Sequence, residues 1–207
     1  MTDFIRPRLY LITPPLASAD EFAPKLEKAL ASGDVACVLL RFATADEGAR
    51  KKIAKALAPI VQKAEAAALA LDDAQLVGRA GLDGAHITGA GENFDDALER
   101  LKPDRIVGVG GLDSRDAAMT IGETDVDYLL FGALDPEDND AAATLEWTAW
   151  WAEVFNVPCV GVAHASGEVE ALATSGAEFL GLGPRFFDEP TEIAAAQAVI
   201  DALEPES

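Results

Sequence analysis

ALALDDAQLVGRAGLDGAHITGAGE, residues 68–92, decides how this chain folds. A short apolar run ends in two acids, Asp72 and Asp73. A helical turn follows, and a second short run, LDGAHI, ends at His86 and Thr88. The pattern is strand, helix, strand, with polar residues closing each strand. In an open α/β sheet or a closed α/β barrel, ligands gather at the carboxyl ends of the strands. Asp72, Asp73, His86 and Thr88 are therefore expected on one rim.

The same pattern extends outward in both directions. Upstream, RLYLIT (8–13) reads as a strand stopped by Pro14 and Pro15. Ser18 or Asp20 caps a helix through FAPKLEKALASG, which Gly33 ends. VACVLLRFA (35–43) is continuously apolar, in the manner of a buried parallel strand. Thr44 or Asp46 then caps a long Ala/Lys-rich helix reaching about residue 67. Downstream, Asn93 or Asp95 caps a short helix ending near Lys102. RIVGVGG (105–111) is a fifth strand, Ser114 starts a helix to Gly122, and VDYLLFG (126–132) is a sixth strand. The loop LDPEDNDAAA has no periodicity and reads as mobile. TLEWTAWWAEVF (144–155) reads as a helix and VPCVGVAHAS as the seventh strand with its loop. GEVEALATSG is a helix, AEFLGLG the eighth strand, and 191–203 a closing helix.

Eight strands, each followed by a helix, predict a single-domain (β/α)₈ TIM barrel of the α/β class over residues 1–207. A doubly wound open sheet is the alternative, but it needs fewer strands at this length. The even spacing argues for closure.

Composition narrows the partners. Thirty-six acids against sixteen Lys+Arg give a formal net charge of −20. Nucleic-acid binding requires a basic surface that releases counterions, so no nucleic acid is expected, and anionic membranes are repelled. No run approaches the ~18 apolar residues of a membrane span. The opening MTDFIRPRLY lacks the apolar core of a signal peptide. A cytoplasmic protein is the expectation. Cys37 and Cys159 sit inside apolar runs and read as small buried hydrophobes, not as a disulfide.

Several residues carry candidate chemistry. Arg41 ends an apolar strand and shares parity with Val35, Cys37 and Leu39, so it faces the mouth if they face the interior. Its guanidinium fork suits a phosphate or carboxylate; an ion pair with Asp72 or Asp73 is the bland reading. One of the two adjacent acids caps the helix DAQLVGRA, and the other is available to a cation such as Mg²⁺. His86 and His164 end the fourth and seventh strands, without metal-ligand spacing. Each serves as an acid/base or phosphate donor, or simply packs at a strand end. The loops after strands seven and eight offer Ser166, Gly167, Gly183 and Arg185, a phosphate-binding set where many barrels place one. Tight strand–helix packing is the alternative use of those glycines. Trp147, Trp150 and Trp151 share a helix face, as core or as the contact of a homo-oligomer.

LYLIT, the strand ending LLR, LALDD followed by GLDGAHITG, VDYLLFG and GAEFLGLG resemble the thiamine phosphate synthase/TenI family, in order and over nearly the whole chain. The resemblance implies a (β/α)₈ barrel. For the synthase branch it implies Mg²⁺-dependent coupling of a hydroxymethylpyrimidine diphosphate to a thiazole phosphate, with phosphorylated small molecules as partners. Arg41, His86 and His164 become the catalytic candidates and Asp73 the metal candidate. The match thins at the chemistry. The family's Gln-x-Arg-x-Lys falls on Leu39, Arg41 and Ala43. Its second metal Asp falls on Gly91, and the loop that carries a Lys after strand six is DPEDND here. Its Gly-Gly after strand seven falls on Ala163-His164. The TenI branch's His after strand five meets VGGLDS. These departures predict weak or absent synthase activity. The alternative is a non-catalytic barrel that binds a phosphorylated metabolite or a partner protein.

Overall fold

The computed structural model describes residues 6–204. Strands and helices alternate as β1 (Arg8–Leu16), α1 (Ala19–Leu30), β2 (Val35–Phe42), α2 (Glu47–Lys63), β3 (Ala67–Leu71), α3 (Ala74–Ala80), β4 (Gly84–Thr88) and α4 (Glu92–Leu101). They continue as β5 (Ile106–Gly110), α5 (Arg115–Gly122), β6 (Tyr128–Phe131), α6 (Ala141–Val154), β7 (Cys159–Ala163), α7 (Val169–Ala173), β8 (Phe179–Leu182) and α8 (Pro190–Asp201). Each strand pairs in parallel with its sequence neighbours, and β8 returns to β1, so the expected TIM barrel is closed.

Alternation along the strands separates two cores. Leu9 and Leu11 point outward, into a shell shared with helix residues such as Leu26, Leu57, Phe94 and Ile193. Tyr10 and Ile12 point inward and meet Leu39, Leu69, Tyr128, Leu130 and Val162. Cys37 and Cys159 are buried free thiols, as expected. Of the tryptophans, Trp151 is fully buried, stacks on Phe155 at 4.0 Å between centroids, and donates from its indole to the Val157 carbonyl, while Trp147 and Trp150 are partly buried against the core. No helix of the described residues is long and apolar enough to cross a membrane.

Several boundaries differ from the sequence reading. β1 runs through Pro14 and Pro15 to Leu16, with a register shift between Ile12 and Pro15. β8 accompanies β1 only as far as Leu11, so the prolines lie where β1 has lost one neighbour and needs fewer donors. α2 stops at Lys63, short of the expected end. Gly91, at φ 145°, caps α4 in place of Asn93 or Asp95. α6 begins three residues early, at Ala141, because Asp140 accepts from the Ala142 and Ala143 N–H groups. The loop after β6 is not loose. It contains a 3₁₀ turn, Pro136–Asp138, and is fastened at several points described below.

Candidate active site

Arg41 and His164 meet at the carboxyl end of the barrel. Arg41 leaves β2 with its side chain only 9% exposed. Its Nη1 and Nη2 donate to Oδ1 and Oδ2 of Asp135 at 3.0 and 2.5 Å, and Nη1 also reaches the Leu134 carbonyl at 3.2 Å. The bland reading of Arg41 as ion-paired holds, but the partner is Asp135 from the loop after β6, not Asp72 or Asp73. The guanidinium holds the Asp135 carboxyl below its usual range, mainly through these hydrogen bonds. His164, just past β7, is 6% exposed, and its Nε2 lies 2.9 Å from the Ala133 carbonyl. A carbonyl only accepts, so Nε2 carries the proton. Two buried atoms of this pair have no partner, Arg41 Nε and His164 Nδ1.

His86 is not on the rim. It is 1% exposed inside the barrel, where its Nδ1 lies 3.0 Å from the Tyr128 hydroxyl. That hydroxyl lies 2.8 Å from the hydroxyl of Tyr10. Burial pushes the His86 pKa down to about 3, so the ring is neutral at physiological pH. Burial likewise pushes both tyrosine hydroxyls up. The glycines of β5 serve this chain of rings: a Cβ on Gly108 would collide with the Tyr128 ring, and one on Gly110 would stand 2.9 Å from His86 Nε2.

The two acids of the opening stretch divide their work. Asp73 caps α3 through Leu76 N–H at 3.0 Å, and its other oxygen sits 2.9 Å from Arg50 Nη1. The angle of that ion pair is poor, and Asp73 Oδ2 lacks a hydrogen bond. Asp72 adopts the left-handed region, φ 51°, and its carboxylate takes the Thr88 N–H and hydroxyl. Asp72 thus joins the ends of β3 and β4, and Asp73 ties the start of α3 to α2. They line a cavity of about 260 Å³ with Arg50, Arg79, Asn93 and Asp96, on the helical side of β3.

The residues expected to bind phosphate do lie together. Ser166 Oγ donates to Glu192 Oε2 at 2.7 Å, and Arg185 Nη2 reaches both Glu192 oxygens at 2.7 and 2.8 Å. The backbone N–H groups of His164 and Ala165 are taken by Glu168. The Gly183 N–H goes to the Ala163 carbonyl, and the missing Cβ of Gly183 leaves room for the His164 ring. Gly167 is open on the side where a side chain would project.

The sequence reading missed Tyr10, Tyr128, Glu168 and Glu192, and it placed Asp135 in an acidic loop that repels diphosphate without giving it Arg41 as partner. The tyrosines carried a signal, since each falls at inward parity in an apolar strand. Glu168 and Glu192 carried none, and the partner of Asp135 is distant in the chain.

Barrel and mouth together define a class, a (β/α)₈ protein whose strand-end arginines are paired with acids and whose histidine is held by a loop carbonyl. Residues 9–182 match the family described as "Thiamine monophosphate synthase", TMP-TENI, and the chain belongs to that family. It is 38% identical to a thiamine-phosphate synthase of Rhodospirillum centenum, over 92% of this chain and 94% of that one. It is 33% identical to a thiamine-phosphate synthase of Hyphomonas neptunium, covering 98% of each. The fold superposes on a thiamine phosphate pyrophosphorylase from Pyrococcus furiosus with a TM-score of 0.80 at 17% identity, over 95% and 96% of the two chains.

Proposed function

We propose that this chain is a divergent thiamine phosphate synthase that binds phosphorylated thiamine precursors and couples them weakly or not at all. The reaction class joins a hydroxymethylpyrimidine diphosphate to a thiazole phosphate. The bond from the pyrimidine's methylene carbon to a diphosphate oxygen breaks, and pyrophosphate leaves with the electron pair. Its several negative charges must be met as that bond opens, by cations aimed at its oxygens.

One observation carries the reading. Arg41, the cation retained on β2, has its fork closed on Asp135. The family's neighbouring cation positions fall on Ala43 and on the acidic loop DPEDND.

Mg²⁺ is the family's other means of neutralising that charge, and the donor set here does not fit it. Asp73 offers one oxygen to a helix N–H and the other to Arg50. Gly91 offers no side chain. Among the described residues, no three His, Cys, Asp or Glu side chains converge as ligands. No step is therefore routed through a metal. The residues that remain suited to phosphate are Ser166, Gly167, Gly183 and Arg185, with Arg41 and His164 at the mouth. His86, sealed and neutral, serves by holding Tyr128 and thereby the barrel interior.

The test is purified protein with both substrates and Mg²⁺, scored for thiamine phosphate and, in parallel, for a melting-temperature rise with each substrate. Binding to the native state alone must raise that temperature. The expected result is stabilisation with turnover far below roughly 1 s⁻¹. Turnover at or above that rate makes the chain an ordinary synthase. Stabilisation with no turnover at all makes it a binding barrel.

A further inference from the structure

Residues 133–135 lie across the barrel mouth as a strap. Three of its groups are held by two strands: the Ala133 carbonyl by His164, and the Leu134 carbonyl and Asp135 carboxylate by Arg41. Leu134 is partly buried and packs on the inner core. The far end is tied by Asn139, whose Oδ1 accepts the Ala133 N–H at 3.1 Å and the Thr144 hydroxyl at 3.0 Å.

The two members of the Arg41–Asp135 pair are unequal. The arginine side chain is 9% exposed and fixed by its strand; the aspartate is 44% exposed and belongs to a loop. Asp135 uses both ends of the guanidinium fork, the face that a phosphate group would use. Yet the strap leaves the mouth unsatisfied. Arg41 Nε and His164 Nδ1 are buried and unpartnered. Buried polar groups without partners are costly, and native structures retain few of them. A ligand with more oxygens than one carboxylate offers the Arg41 Nε–H the acceptor it lacks.

We propose that Asp135 is a built-in competing anion, which a phosphate or diphosphate must displace from Arg41, moving the strap with it. Asp135 is thus the residue that sets the mouth's affinity and selectivity for anions. This rests on the reading that the mouth receives phosphorylated ligands. Ala133 also lines a cavity of about 360 Å³ together with Gly132, Asn139 and Trp147, so movement of the strap changes the surroundings of that indole.

The experiment is a titration of the whole chain with inorganic pyrophosphate, without metal, by calorimetry and tryptophan fluorescence. Asp135→Asn should bind roughly tenfold more tightly than the native chain, the equivalent of about 1.4 kcal/mol. Arg41→Met should remove that gain, so that the double variant binds no better than Arg41→Met alone. Native binding should change the tryptophan emission. Leu134→Ala, which loosens the strap without altering charge, should shift affinity in the same direction by less. It serves as the second variant if Asp135→Asn does not fold. Equal affinity of the native chain and these variants overturns the proposal, as does a gain that survives Arg41→Met. Absence of pyrophosphate binding in every protein overturns it too. Thiamine phosphate formation, high or low, bears on the functional reading and leaves this comparison intact.

Discussion

At the scale of single residues, burial has turned expected reagents into structural groups. His86 reads in the sequence as a rim acid/base, because it ends a strand whose loop carries polar residues. In the barrel it lies buried below the mouth, against Tyr128. A strand's alternation tells which face a side chain takes but not how deep the strand end sits. The consequence is measurable. Its folded pKa, about 3, lies below the ordinary 6.5, so the unfolded chain binds more protons between those values. The stability due to neutral His86 is full above pH 6.5 and declines as pH falls toward 3, at up to about 1.4 kcal/mol per pH unit. His86→Asn keeps a polar atom near Tyr128 and does not titrate. Denaturant titrations from pH 7 to 4.5 should show a smaller loss of stability in the variant than in the native chain. Parallel losses would mean that His86 is not neutral and sealed.

At the scale of elements, strand order and helix order were legible because the apolar runs are short and the helices between them carry caps and stops. Asp46, Asp73 and Ser114 accept the N–H groups expected of cap residues. The loop after β6 was not legible. Its order comes from Arg41, some ninety residues away in the chain, and from Asn139 and Asp140, which look like ordinary loop residues until α6 is seen to start on them. The nearness of Ser166 and Arg185 was legible, but not the acid between them, since Glu192 arrives from α8. Asp140 gives an element-scale prediction. It satisfies two N–H groups at the start of α6, so Asp140→Ala should lower unfolding stability by about 1 kcal/mol, read as a lower urea midpoint with unchanged slope. An unchanged midpoint would show that the cap contributes nothing. Because Asp140 and Trp147 of α6 line the same cavity, emission at low urea should change as well.

At the scale of the whole molecule, the charge of −20 dominates. Nine Arg and Lys side chains are paired among the described residues, most of them on the surface. Exposed pairs contribute little each, about 0–1 kcal/mol, whereas self-repulsion acts over the entire surface. Salt screens both. The repulsion is the larger effect, so raising sodium chloride from roughly 50 to 500 mM, beyond which the Debye length is only a few ångströms, should raise the melting temperature. A fall would mean that the surface pairs outweigh the repulsion. Composition made this legible at once, whereas the pairing of Arg41 with a loop acid and of Arg185 with an acid of α8 required the closed barrel.

The interlock of Gly108 with the Tyr128 ring, across the β5–β6 seam, constrains how this sequence can have changed over time. A larger residue at 108 is excluded while the ring is present, and a smaller one at 128 leaves a hole while the glycine remains. The two positions therefore form an epistatic pair: either single step descends into a fitness valley that the double step avoids. Gly183 and His164 form a second such pair across the β7–β8 seam. Lineages that hold a different residue at 164 are then expected to have been freed at 183. Ancestry around the mouth should read as correlated exchanges in size, not as independent drift.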